Sequence, residues 1–232
     1  MDQFKILVII PVYNGSKFLK ETINSIKNQV GVNLKIIIID DCSTDNSYNI
    51  AKTFSGITVL RNTKNMGNYY SCNKVLYLKQ SDPEWTHFTF HGADDVSNSN
   101  RLFKQLSSFN DKTIAVGCRF VRMNYYTRQK ISVNPKTNES QLLFSREVLN
   151  IIGYRDNGRA GCDTEYKRRL ELARPNSIKS LDEILMTAYL HDDNLTKKIP
   201  IGGKYRRDYV NQFTRKHLEM KKKNNYYQAF TL

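Results

Sequence analysis

The 232-residue chain lacks any run approaching the ~18 consecutive apolar residues of a membrane-spanning helix. Met1 to Ile10 lacks a basic segment followed by a long apolar stretch, so no secretory signal is read there. The expectation is a cytoplasmic protein, with peripheral contact to a membrane left open. Cysteine is scarce: Cys42, Cys72, Cys118 and Cys162 are widely spread and form no CxxC pair. That argues against a thiolate zinc site and fits buried free thiols in a reducing compartment. Neither GxxxxGK[ST] nor GxGxxG occurs, which excludes Walker-type and dinucleotide-type phosphate loops. RRM, KH and helix-turn-helix signatures are missing as well. Internal repeats and low-complexity segments are absent. Acid is in deficit, with 22 Asp and Glu against 36 Lys and Arg, a formal charge of +14. Such a balance suits an anionic partner (nucleic acid, a membrane surface or an anionic small molecule) and by itself selects none of them.

What is present begins with alternating periods. FKILVIIPV (Phe4 to Val12), LKIIIIDD (Leu34 to Asp41), GITVLRN (Gly56 to Asn62) and WTHFTFH (Trp85 to His91) read as strands, the first two buried on both faces. Between them, Leu19, Ile23, Ile26 and Val30 recur at helical spacing behind Ser16, a candidate N-cap. A short helix follows Ser43 or Asp45, and another is predicted over Asn68 to Lys79. The order βαβαβαβ predicts an α/β fold: a mostly parallel central sheet with helices on both faces. The second half is less regular. It holds a strand over Thr113 to Asn124 and two helical patterns around a Gly-rich bend in Ser145 to Ala173, the second from Asp163. A strand in Ser180 to Thr196 then ends in a polar loop, and a basic helix covers Lys204 to Lys223.

In sheets of this kind ligands bind beyond the carboxyl ends of the strands. Those ends carry Pro11-Val12-Tyr13-Asn14, Asp40-Asp41, Arg61-Asn62 and Ala93-Asp94-Asp95. FHGADDVS (Phe90 to Ser97) ends a strand in two like charges. Such a pair is either a solvated turn or a divalent cation site. Hard oxygen donors suit Mg²⁺ or Mn²⁺, which leave positions for phosphate oxygens and water. The convergence of four polar strand ends favours the cation, and so a phosphate-bearing ligand. Asp41 can accept from a base or ribose, or simply cap the next turn. His191 closes a predicted strand. Asp163 opens a helix, where an N-cap role is the plain alternative. Glu165 lies one turn before Arg168 and Arg169, as in an ordinary intrahelical ion pair.

Six segments, VIIPVYNGSKFLKETINSI, IIIDDCSTDNS, NTKNMGNYYSCN, FHGADDVSNSNRL, GYRDNGRAGCDTEYKRRL and LHDDNLT, together resemble family 2 glycosyltransferases of the GT-A (nucleotide-diphospho-sugar transferase) fold. They occur in that family's order from Phe4 to about Thr196. The resemblance implies one continuous domain, with residues 1–105 as a Rossmann-like nucleotide-sugar-binding half and residues 106–232 as an acceptor-binding half. It places Pro11, Val12, Tyr13 and Asn14 along the nucleotide pocket, Asp40 and Asp41 on base and ribose, and Asn65 and Gly67 near the nucleobase. Ala93, Asp94 and Asp95 match the end of the family's DxD region. Asp94 would be the chief ligand to Mn²⁺ or Mg²⁺, with Asp95 and His191 as further metal contacts and Asp163 as general base. Three departures stand out. Gly92 replaces the first acid of DxD, Cys72 stands where the family often has Arg, and Cys162 replaces the acid before the base.

The reading is an inverting, metal-dependent transfer of one sugar from a nucleotide sugar, a UDP-sugar for preference, to a hydroxyl of a glycan or other acceptor. No nucleophile for a double displacement is apparent. Arg168, Arg169, Arg206 and Arg207 either hold anions or form a solvated basic face. The alternatives are a sugar nucleotidyltransferase, whose Gly-rich, Arg-containing loop is missing from VYNGSK, an inactive relative, and a basic nucleic-acid-binding module. Nucleic acid is not the expected partner.

Overall fold

The computed structural model describes residues 5–134 and 141–232. In chain order the elements are β1 (Lys5–Val12), α1 (Ser16–Lys27), β2 (Asn33–Asp40), α2 (Ser47–Lys52), β3 (Ile57–Arg61), α3 (Asn68–Lys79), β4 (His87–Phe90), β5 (Asp95–Ser97), α4 (Arg101–Leu106), β6 (Ala115–Asn124), β7 (Lys130–Asn134), β8 (Leu143–Ser145), α5 (Val148–Ile151), α6 (Cys162–Ala173), β9 (Ile178–Leu190), α7 (Leu195–Lys198) and α8 (Lys204–Lys222). Phe4, the expected start of the first strand, lies outside the described residues.

Ile6 to Ile10 are fully buried, so β1 has no solvent face. Burying each such side chain is worth roughly 1.5–3 kcal/mol. β1 runs parallel to β2 from Lys5 opposite Asn33 to Val12 opposite Asp40. β3 joins β2, and β4 joins β1, both parallel. This is the expected parallel unit, and its carboxyl ends share one edge. Beyond β4 the sheet becomes mixed. β8 pairs antiparallel to β4, β6 antiparallel to β8, β9 parallel to β6, and β5 antiparallel to β9. The order is β3-β2-β1-β4-β8-β6-β9-β5, with β7 on β6.

Helices cover both faces, as expected. Leu19, Ile23, Ile26, Ala51 and Leu102, from α1, α2 and α4, pack against Ile6, Val8 and Ile10. Cys72, Val75, Leu76, Val148, Tyr166 and Leu170, from α3, α5 and α6, pack against Leu7, Ile9, Phe88 and Phe90. Among the described residues, no helix is long and apolar enough to cross a membrane.

Several local expectations change. Gly15 is the N-cap of α1, and Ser16 is its first residue. Val30 falls beyond the helix and is 55% exposed. Asp45 anchors two helix starts at once, accepting from the backbone N–H of Ser16 at 3.0 Å and of Ser47 at 2.9 Å. Glu165 and Arg169 are fully buried, not a surface pair. Arg169 Nε and Nη2 bind Glu165 at 2.7 and 3.1 Å, and His217 of α8 lies 2.9 Å from the same carboxylate. Arg169 also donates to the Ile152 and Tyr154 carbonyls. The Glu165–Arg169 pair is therefore a structural clasp, joined to α8 through His217, and Arg169 is available neither to a ligand nor to a solvated basic face.

Candidate active site

The ends of β1 and β2 are tied to each other. The Asp41 N–H donates to the Val12 carbonyl at 2.8 Å. Asn14 takes the left-handed conformation (φ 50°), donates its N–H to Ser43 Oγ at 3.0 Å, and accepts from the Thr44 N–H at 2.8 Å. Tyr13 projects beside this junction, 52% exposed. Pro11 and Val12 close the strand below it.

Both second-strand acids are buried. Asp40 Oδ2 meets Arg61 Nε and the Ser43 N–H, each at 3.1 Å, while its Oδ1 is buried without a partner among the described residues. Asp41 accepts from Asn62 Nδ2 (2.7 Å), Ser71 Oγ (3.0 Å), the Met66 N–H (2.9 Å) and the Gly67 N–H (2.7 Å). It therefore shapes the 62–67 turn and the start of α3 rather than only capping its own. Gly67 has φ +92°, a conformation open to glycine, and Asn65 is exposed on the same turn.

The end of β4 is held rigidly. His91 is buried, and burial together with the Arg101 charge pushes its imidazole down to about 3, so it stays neutral. One ring nitrogen lies 2.8 Å from the Gly92 carbonyl, the other 2.9 Å from Ser97 Oγ. Thr22 of α1 donates to the carbonyls of both Ala93 (2.9 Å) and Asp95 (2.8 Å). The turn between these anchors aims two carboxylates at one place. A Cβ at Gly92 would lie 2.6 Å from Asp95 Oδ2 and 3.0 Å from Asp94 Oδ1. Gly92 is thus the floor under both acids, and the missing first acid of DxD is where their oxygens sit. Burial, with the adjacent Asp94 charge, raises the Asp95 carboxyl well above the usual range.

Pairing of β5 with β9 brings the far end of the chain here. His191 Nε2 is 3.0 Å from Asp94 Oδ2, and Asn194 Nδ2 donates to the same oxygen at 2.9 Å. The Asp193 N–H approaches His191 Nδ1 at 3.2 Å and Asn194 Nδ2 lies 3.0 Å from Nε2, so the ring is fixed beside Asp94 from both sides. Two converging carboxylates of like charge, supplying hard oxygens, fit a divalent cation. Among the described residues no group of three or more His, Cys, Asp or Glu is placed to hold a metal ion, so Asp94 and Asp95 would supply at most part of a coordination shell.

Asp163 stands in the first turn of α6, half-buried, after Gly161 in the left-handed conformation. Tyr69 of α3 donates its phenol to Asp163 Oδ1 at 3.1 Å. Cys72, where the resemblance expects Arg, is fully buried, and burial lifts its thiol to about 11. A cation is nonetheless nearby: Arg155, 4% exposed, places its guanidinium 3.5 Å from the Phe90 ring centroid and 5.0 Å from that of Tyr69. Tyr69, Arg155 and Asn194 went unread in the sequence. Asn194 belongs to the LHDDN segment, which singled out only its histidine. Tyr69 and Arg155 carry no local signal, since buried Tyr and surface Arg are ordinary in such positions.

Comparison with known proteins follows the same span. A model of glycosyl transferase family 2 matches residues 7–168. The O-antigen chain rhamnosyltransferase WbaN of Salmonella anatum is 32% identical over 113 residues, 48% of this chain and 35% of that protein. The structure of Staphylococcus aureus TarS 1–349 in complex with UDP-GlcNAc superposes with a TM-score of 0.69 at 20% identity, over 85% of this chain and 62% of that one. A mannosyltransferase of Pyrobaculum calidifontis, in complex with GDP-Man and Mn²⁺, superposes with a TM-score of 0.65 at 15% identity, over 83% and 59%. The fold is therefore the GT-A fold of those structures. The chain spans less than half the length of curated relatives it matches.

Proposed function

We infer the reaction from the premise that this chain belongs to glycosyl transferase family 2: it transfers one sugar from a nucleotide sugar to an acceptor hydroxyl in glycan biosynthesis, with inversion at the anomeric carbon. The observation that carries this reading is the convergence of Asp94 and Asp95 over Gly92, at the strand edge where the ends of β1 and β2 also open. Residues 1–105 supply the donor pocket. Pro11, Val12, Tyr13 and Asn14 line it, Asp40 and Asp41 shape its wall for base and ribose, and Asn65 and Gly67 edge the nucleobase. Residues 106–232 supply the acceptor side and the base. A divalent cation, Mn²⁺ or Mg²⁺, held by Asp94 and Asp95 beside His191 and Ala93, would neutralise negative charge on the leaving diphosphate. Neighbours in complex with UDP-GlcNAc and with GDP-Man and Mn²⁺ support a nucleotide-sugar donor.

Asp163 takes the proton from the acceptor hydroxyl while its oxygen bonds to the anomeric carbon. The anomeric carbon–phosphate oxygen bond breaks, and the nucleoside diphosphate leaves. A single displacement inverts the centre. His191 and Asn194 hold the Asp94 carboxylate in one orientation, so no reorganisation is needed when the donor binds.

The test is nucleotide release from UDP-glucose, UDP-galactose, UDP-GlcNAc and GDP-mannose with Mn²⁺, Mg²⁺ or chelator, using water as acceptor. Release from one donor is expected to require metal and to fall at least about 100-fold in Asp94→Ala. Undiminished release in chelator and in Asp94→Ala would remove the metal from the reading. Failure of every donor to bind in calorimetry would overturn the donor class itself.

A further inference from the structure

α3 meets the loop ahead of α6 through two polar side chains one turn apart. Asn73 clamps the peptide of Arg155, donating to its carbonyl at 2.7 Å and accepting from its N–H at 3.1 Å. Tyr69, 6% exposed, bonds Asp163 Oδ1 at 3.1 Å. The Tyr69 ring lies over the Arg155 guanidinium, which in turn covers Phe90 at the end of β4. A phenylalanine would pack in this stack equally well. The hydroxyl is buried for one partner, and that partner is an acid.

We propose that Tyr69 is a positioning residue for the base, its phenol holding the Asp163 carboxylate in a single rotamer. The proposal rests on the reading of Asp163 as general base. Burial first, and then the Asp163 charge, raise the Tyr69 phenol well above its ordinary range, so it stays protonated and donates at every working pH. The other groups facing this contact do not replace it. The Cys72 and Cys162 thiols are both pushed up to about 11 and remain neutral. Tyr209 of α8 is likewise raised, and its hydroxyl is spent on Asp156, 2.9 Å away, which also pairs with Lys216. Arg155 is charged but lies against the ring faces. Among the described residues, Tyr69 is the one hydrogen-bond donor that reaches Asp163.

The test uses the full chain with ¹³C-labelled Asp carboxyls, as wild type, Tyr69→Phe and Asp163→Asn, the last assigning the resonance. In Tyr69→Phe the Asp163 carboxyl resonance is expected to move and broaden, because the phenol no longer holds the carboxylate in one orientation. Nucleotide release from the best-used of the four donors is expected to fall about tenfold in kcat, with KM changed less than about twofold. A merely structural role for Tyr69 would instead lower the melting temperature and leave kcat in the folded enzyme unchanged. An unmoved Asp163 resonance and wild-type kcat in Tyr69→Phe, with Asp163→Asn inactive, overturn the Tyr69 proposal alone. Wild-type turnover in Asp163→Asn overturns the base reading instead.

Discussion

At Gly92 the absence of a side chain is what the site uses. The two oxygens that crowd its missing Cβ belong to Asp94 and Asp95, the pair proposed to hold the cation. Gly92→Ala is expected to push Asp95 aside and weaken Mn²⁺ binding about tenfold, read by calorimetry, with the melting temperature nearly unchanged. An Asp at this position, the commoner residue in the resembled family, meets the same obstacle here. Gly67 acts through its backbone instead. Its φ of +92° carries its N–H to Asp41 Oδ2 at 2.7 Å. Gly67→Ala is expected to cost about 1–3 kcal/mol in urea unfolding, because an L side chain strains that conformation. A variant with wild-type stability would show that the turn has another conformation within reach.

At the scale of elements, α3 joins the two chemical ends of the site. Its start is held by Asp41 through Gly67 and Ser71, and Tyr69 and Asn73 reach across to Asp163 and the Arg155 loop. Asn73→Ala strands two buried backbone groups of Arg155 and is expected to cost about 1–3 kcal/mol by denaturant titration. It should also lower kcat more than donor affinity. The α6–α8 clasp makes a pH prediction. Burial alone would raise the Glu165 carboxyl, but the His217 hydrogen bond and the Arg169 charge outweigh it, and the folded-state pKa lies below 4.5. A depressed acid stabilises the fold above its unfolded pKa, and that contribution is lost as pH falls through the folded value. Unfolding free energy should therefore decline from about pH 4.5 downward, and Glu165→Gln should flatten that decline. The same variant leaves Arg169 buried without its charge partner, at an expected cost of about 3–5 kcal/mol at pH 7. An unchanged acid limb in Glu165→Gln would show that other carboxylates control acid unfolding.

At the scale of the whole molecule, strand order interlocks the two halves. Among the described residues β5, from the first half, has β9 as its one strand partner, and β8, from the second, extends β4. Residues 1–105 alone would expose the β4 edge and leave β5 unpaired. Such a fragment is expected to show no cooperative thermal transition by circular dichroism, whereas the full chain shows one. A cooperative transition in the fragment would establish it as an independent domain. The same interlocking sets the site. His191 reaches Asp94 across 97 residues because β9 lies against β5.

The periodicity of the first hundred residues determined the parallel half of the fold, because doubly buried strands and amphipathic helices write their burial into local composition. β1, β2 and α3 stand almost where the pattern placed them, α3 to the residue. The acids at the strand ends were legible for the same reason: parallel strands deliver their carboxyl ends to one edge. The mixed half was less legible, since the pairings of β5, β6, β8 and β9 join distant segments whose partners no local window contains. The seating of Asp163 on Tyr69, the burial of Arg155 and Arg169, and the orientation of His191 toward Asp94 were decided by tertiary structure alone. Each depends on what a side chain meets across the fold, and a hydrogen bond between residues 69 and 163 leaves no trace in the spacing of either.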